Sequence, residues 1–124
     1  MVLNSRLDNL GIENLIWDGN LELTKDKIIT LNDDIDKYRY LNFIIGDWTQ
    51  DSSSHFIPVI SLSVEGGITF INPENNNDTM SEQYHTFEVV CLKKISNNKI
   101  KCIYFRALPD IGSGCYLFKI YGYR

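Results

Sequence analysis

Alanine is nearly missing from this chain of 124 residues, with Ala107 its only instance. Ala is the best helix former, so its absence argues against a helical protein. A surplus of positive charge is missing too. Twelve Lys+Arg against sixteen Asp+Glu leave a net charge of −4, which argues against a nucleic-acid polyanion as partner. No apolar run reaches bilayer length, since even Phe56 to Leu62 is broken by Pro58 and Ser61; no membrane insertion is expected. The first residues, MVLNSRLDNLGIENL, carry no basic start with an apolar run behind it, so no signal peptide is read. Cysteine is scarce, and Cys91, Cys102 and Cys115 lack any C-x-x-C spacing. They sit in the apolar segments VVCLKK, IKCIYF and GCYLFK, which reads as buried thiols in a protein folded in a reducing cytosol.

Catalytic chemistry is equally thin. His55 and His85 are the only histidines, so a His-rich metal site is excluded. A Ser-His-Asp set can be drawn from Ser52–Ser54, His55, Asp47 and Asp51. No G-x-S-x-G elbow accompanies it, and such triads normally come from separate segments. A hydrogen-bonded loop is the better reading of that stretch, and His85 reads as an ordinary strand residue. The carboxylates Asp33, Asp34 and Asp36 lie in LNDDIDKY, which lacks the Gly and terminal Glu of an EF-hand. A turn capped by Asx side chains accounts for them. The glycines of EGG and GSG precede no helix, so no phosphate-binding loop is present. The chain is expected to be no enzyme, with no cofactor and no metal.

What the sequence does contain is material for strands. Seven Tyr, six Phe and two Trp accompany many β-branched residues, the composition of a pleated, half-buried surface. Strand-like runs cover 15–23, 27–31, 38–48, 56–64, 68–71, 83–95, 99–108 and 115–123. About eight short strands with no long helical period predict an all-β fold, an antiparallel β-sandwich of jelly-roll type. Residues 1–14 read as an N-terminal connector and 15–124 as the β-sandwich domain.

The sharpest turn signal is Asn97-Asn98, which suits a two-residue hairpin. An unbroken register then pairs Ser96 with Lys99, Ile95 with Ile100, Lys93 with Cys102 and Cys91 with Tyr104. On the other face it pairs Val90 with Phe105, Leu92 with Ile103 and Lys94 with Lys101. Cys91 and Cys102 become diagonal neighbours, about 7–8 Å apart, too far for a disulfide. Away from its tip both faces of this hairpin are apolar, which implies a second cover, such as another sheet together with a neighbouring subunit, and is a hint of self-association. Glu65-Gly66-Gly67 predicts another hairpin, joining 56–64 to 68–71.

Two polar segments carry aromatic rings, GDWTQDSSSH and NNNDTMSEQYH. Sugars stack C–H faces on such rings while carboxylates and amides take the hydroxyls. Asp47, Trp48, Asp51, His55 and Tyr84 are therefore the candidate ligand-binding residues.

One stretch goes beyond generic strand chemistry. In residues 15–45 a strand bearing Leu15, Trp17 and Gly19 precedes Ile29-Thr30-Leu31, a polar segment with Ile35 and Tyr38, and a strand from Leu41. The chain closes on FKIYGYR, with Ile120, Gly122 and a terminal basic residue. This pattern resembles the head domains of tail-fibre and baseplate proteins from phages of Gram-positive bacteria. The resemblance implies an all-β, commonly trimeric module with no catalytic residues. It would be made in the host cytoplasm, sit in the virion among other virion proteins, and attach to host cell-wall saccharide or teichoic acid. A structural head-fibre or decoration protein is the alternative, followed by a small intracellular inhibitor of a host protein.

Overall fold

The structure is a computed structural model that describes residues 13–46, 52–73, 87–108 and 115–124. It contains two four-stranded antiparallel sheets. The strands are β1 (Glu13–Glu22), β2 (Ile28–Thr30), β3 (Tyr40–Gly46), β4 (Ser52–Pro58), β5 (Ile68–Pro73), β6 (Phe87–Ser96), β7 (Lys99–Leu108) and β8 (Tyr116–Tyr123). Sheet A has the order β1-β8-β3-β4 and sheet B the order β2-β7-β6-β5. The all-β expectation holds. The proposed 1–14 connector falls mostly outside the described residues, and β1 begins at Glu13.

Side chains alternate along each strand, so the register sorts them into rows across sheet A. Trp17, Ile120, Phe43 and His55 form one inward row, and Leu21, Leu117, Ile45 and Ser53 the next. From sheet B come Phe70, Val90 and Phe105, then Ile68, Leu92 and Cys102. Members of both sets share one hydrophobic core. The Phe43 and Phe70 rings approach to 6.5 Å between centroids, linking the two sheets.

Three local expectations need correction. The run 56–64 is not one strand: β4 ends at Pro58, and Val59–Leu62 form a short helix, α1. Pro58 offers no N–H to continue a ladder, while buried Val59 and Leu62 tie the new turn to the core. Secondly, Glu65-Gly66-Gly67 joins no hairpin, because β4 and β5 belong to different sheets. Those residues lead the chain from α1 onto sheet B. Gly67 has φ +69°, and a Cβ there would stand 2.4 Å from the Leu92 carbonyl oxygen, so only glycine lets the loop lie against β6.

The β6–β7 register is the third. Ser96–Lys99, Cys91–Tyr104 and Val90–Phe105 pair as expected, but Leu92 meets Cys102, Lys93 meets Lys101 and Lys94 meets Ile100. Two compensating irregularities cause this, with Ile95 extra in β6 and Ile103 extra in β7. Such bulges move side chains between faces. Here they bring Ile100 and Cys102 onto the face of Val90 and Leu92, where all four are buried. The predicted pair of apolar faces is thereby reduced to one. Cys91 on the other face is covered locally, its Sγ 3.3 Å from the Gly66 carbonyl. The hairpin therefore gives no argument for self-association.

The lysines also settle separately. Lys94 Nζ lies 2.6 Å from Asp36 Oδ1, Lys93 Nζ donates to the Glu65 carbonyl at 2.6 Å, and Lys101 faces Asp26 at 3.4 Å. All three cysteines are free and buried.

Candidate ligand-binding face

Of the five candidate residues, Asp47, Trp48, Asp51 and Tyr84 lie outside the described residues. His55 is described, and it sits within β4 rather than in a loop. Its ring packs 4.9 Å from that of Phe70, and Ser53 Oγ lies 3.0 Å from its Nε2. His55 thus faces inward beside Phe43. The serine run was read as loop because it is polar. It forms strand because Ser52, Ser53 and Ser54 register against Gly46, Ile45 and Ile44 of β3.

The residues carrying the phage-head resemblance meet in pairs of ring and glycine. A Cβ on Gly19 would stand 2.9 Å from the Trp17 indole, and one on Gly122 would stand 2.6 Å from the Tyr38 ring. Both aromatics occupy space that a side chain would otherwise fill, covering the glycine backbone. Tyr38 follows a 3₁₀ turn at Ile35–Lys37, where Asp34 caps Asp36 N. That is the expected Asx-type turn. The Tyr38 hydroxyl donates to Asp33 Oδ2 at 2.5 Å, and the Arg124 guanidinium lies 5.9 Å over its ring. Hydrogen bonds from Tyr38, then Lys37, then the Asp34 N–H hold the Asp33 carboxyl well below the usual carboxylate range. These residues are architectural: they close one end of sheet A.

The outer face of sheet A is different in kind. Its rows read Leu15, Tyr121, Asn42 and Phe56, then Glu13, Tyr123, Tyr40 and Pro58, then Asp18, Lys119, Ile44 and Ser54. Leu15 and Tyr40 are each 49% exposed and Phe56 58%. The Phe56 and Tyr123 rings lie 5.4 Å apart across the face. The corresponding face of sheet B instead mixes Lys93, Lys101 and Arg106 with Ile28, Thr69 and Tyr104.

Beneath the rings lies Asn42, only 5% exposed. Asn42 and Glu13 both act on the Tyr123 hydroxyl, and Glu13 registers directly against Tyr123. Burial, with the Glu13 carboxylate adding to it, raises the Tyr123 hydroxyl above its ordinary value. The amide oxygen, Oδ1, finds no hydrogen-bond partner among the described residues. Beside this row an open groove of about 480 Å³ is lined by Asp18, Asn20, Ile44, Phe118, Lys119 and Tyr121. Rings, an amide and a carboxylate on one accessible face are equipped to bind a ligand with both C–H faces and hydroxyls.

Sequence reading placed the aromatic-polar combination in the loops and missed this face. The signal was present as period-two spacing, Tyr40-x-Asn42-x-Ile44 on β3 and Tyr121-x-Tyr123 on β8. It could not be assembled without knowing that β3 and β8 are neighbours. No family model matches the chain, and a search of curated proteins finds no relative. Among the described residues no helix is long and apolar enough to cross a membrane.

Proposed function

We infer that the chain is a non-enzymatic attachment module of the kind found as tail-fibre or baseplate head domains in phages of Gram-positive bacteria. In this reading it is a virion component that assembles as a trimer and holds the host cell surface through saccharide or teichoic acid. The observation that carries the binding role is the exposed face of sheet A, where Leu15, Tyr40 and Phe56 surround a buried asparagine. Large exposed aromatics gathered on one face mark a contact surface rather than a solvated one. The architecture supports the module: the two sheets would form a β-sandwich about their shared core. The pairings β1–β8 and β2–β7 nest as in a jelly roll, whereas β3–β4 and β6–β7 are hairpins. The ring-over-glycine pairs support the resemblance by giving its residues a common structural task.

The test is sedimentation of the purified protein with cell walls of a Gram-positive host. Co-sedimentation that is lost in a Tyr40→Ala/Phe56→Ala variant with an unchanged unfolding transition is the expected result. A well-folded protein that leaves walls and intact cells unbound refutes attachment. Mass spectrometry of tails and heads separately then tests the virion assignment.

A further inference from the structure

The attachment reading leaves two receptor chemistries open, a neutral glycan and the anionic polyol-phosphate of teichoic acid. We propose that the outer face of sheet A takes an uncharged glycosyl unit, one of whose hydroxyls donates to Asn42 Oδ1. This rests on the attachment reading and narrows it to one ligand class and one site.

The first argument is the polarity of the unpaired atom. Asn42 is only 5% exposed and sits in the row between Tyr121 and Phe56. Its Oδ1 has no hydrogen-bond partner among the described residues, which leaves an acceptor over. A buried acceptor without a donor is costly, and burial of its neighbours magnifies the cost. A sugar hydroxyl is a donor, whereas an ionised phosphodiester offers acceptors alone. The phosphate group therefore has nothing to give this site. Polyol hydroxyls are donors too, so the choice between the two ligands falls to charge and shape.

The second argument is charge. Glu13 and Asp18 lie on this face, and Lys119 registers directly against Asp18. Among the described residues lining the groove Lys119 is the one cation, Asp18 lines it too, and the whole chain carries −4. A polyanion is repelled at long range and meets a single lysine among the described residues lining the groove. The third argument is shape. Phe56, Tyr40 and Tyr121 border Asn42 in the register, and Tyr121 is shared with the neighbouring groove. The exposed Phe56 and Tyr40 rings can change rotamer, so a pyranose stacked against them can bring a hydroxyl down to the amide. Asp18 and Asn20 stand at the groove to receive further hydroxyls.

The experiment is a ¹⁵N-resolved NMR titration of the full chain. Its probes are the methyl glycosides of glucose, galactose, rhamnose and N-acetylglucosamine, and separately poly(glycerol phosphate). At least one glycoside is expected to shift the Asn42 side-chain amide together with the Ile44, Lys119 and Tyr121 backbone amides. Poly(glycerol phosphate) is expected to shift none of them. Asn42→Leu, which removes the acceptor at similar volume, should weaken the glycoside roughly tenfold or more. Should that variant fail to fold, Phe56→Ala, at an exposed ring, gives the same readout. Shifts produced by poly(glycerol phosphate) around Lys119 overturn the proposal. So do glycoside shifts mapping elsewhere, and so does silence from all four glycosides. Wall binding that survives both substitutions leaves attachment standing and removes this site. A glycoside response at Asn42 without any wall binding keeps the site and removes attachment.

Discussion

Replacing Gly122 with alanine should damage the fold only because Tyr38 is there. An alanine Cβ at this position would lie 2.6, 2.7 and 2.8 Å from Tyr38 Cδ1, Cε1 and Cγ. Carbon atoms prefer about 3.5–4.0 Å, so three ring atoms overlap the new methyl by roughly 1 Å. The ring has little room to retreat. Tyr38 is 4% exposed, its hydroxyl is bonded to Asp33, and the Arg124 guanidinium lies over its ring. Overpacking of this kind costs about 1–3 kcal/mol, and a pinned ring puts it near the upper end. Alanine also recovers about 0.5–1 kcal/mol of the chain entropy that glycine loses in a strand. The net expectation for Gly122→Ala is a loss of about 2 kcal/mol. In a Tyr38→Ala background the overlap vanishes, so the same substitution should become neutral or stabilise by about 0.5–1 kcal/mol. The coupling between the sites is then about 3 kcal/mol, at the top of the range for residues in contact. Tyr38→Ala itself costs about 3–5 kcal/mol. A chain of this size at roughly 0.05–0.15 kcal/mol per residue can still show a folded baseline after that loss. Urea denaturation of the four proteins gives the cycle. Equal losses from Gly122→Ala in both backgrounds would refute the claim that the ring is what this glycine accommodates.

Gly67→Ala should cost about 3 kcal/mol, from the left-handed backbone and the Leu92 carbonyl together. Gly66→Ala has nothing within 4 Å of its Cβ and should stay within about 0.5 kcal/mol; matching thermal midpoints for the pair would contradict the loop's close approach. Cys102 is fully buried, and burial pushes its thiol up to about 11. At pH 8 a thiol-specific reagent should label it only at the rate of unfolding, and fast labelling of folded protein would rule out its core position. The Asp33 carboxyl titrates below the ordinary 3.8 when folded, through Tyr38 first and Lys37 second. Its contribution to stability is therefore complete above about pH 4 and is lost as pH falls toward the folded value. Tyr38→Phe should raise the Asp33 midpoint, read by carboxyl ¹³C shifts, and flatten the stability profile below pH 4. An unmoved midpoint would sever the link.

Strand identity was readable because it depends on local composition. Val, Ile, Tyr and Phe at period two, with turns at Asn97-Asn98 and Glu65-Gly66-Gly67, located most of the strands. The errors came where distant packing overrode a local cue. Residues 59–62 look like more strand, yet they coil into α1 once Pro58 ends the ladder, with Val59 and Leu62 buried. Nothing in VVCLKKISNNKIKCIYF marks Ile95 and Ile103 as extra residues. Their place is set by the gain from burying Ile100 and Cys102 on the core side. Of the candidate binding residues, His55 was read as part of a loop, whereas it lies in β4 with its ring against Phe70.

The near absence of alanine and the wealth of aromatic rings determined that this chain makes strands, since propensity acts residue by residue. They also implied more apolar surface than one side of a sheet absorbs. Which face carries that surplus was decided by tertiary structure alone. Bulges empty the β6–β7 hairpin of its second apolar face, while β3, β4 and β8 gather Tyr40, Phe56, Tyr121 and Tyr123 on the outside of sheet A. The reason is that a side chain's face depends on register, and register is a property of strand pairs as far apart in the chain as Glu13 and Tyr123.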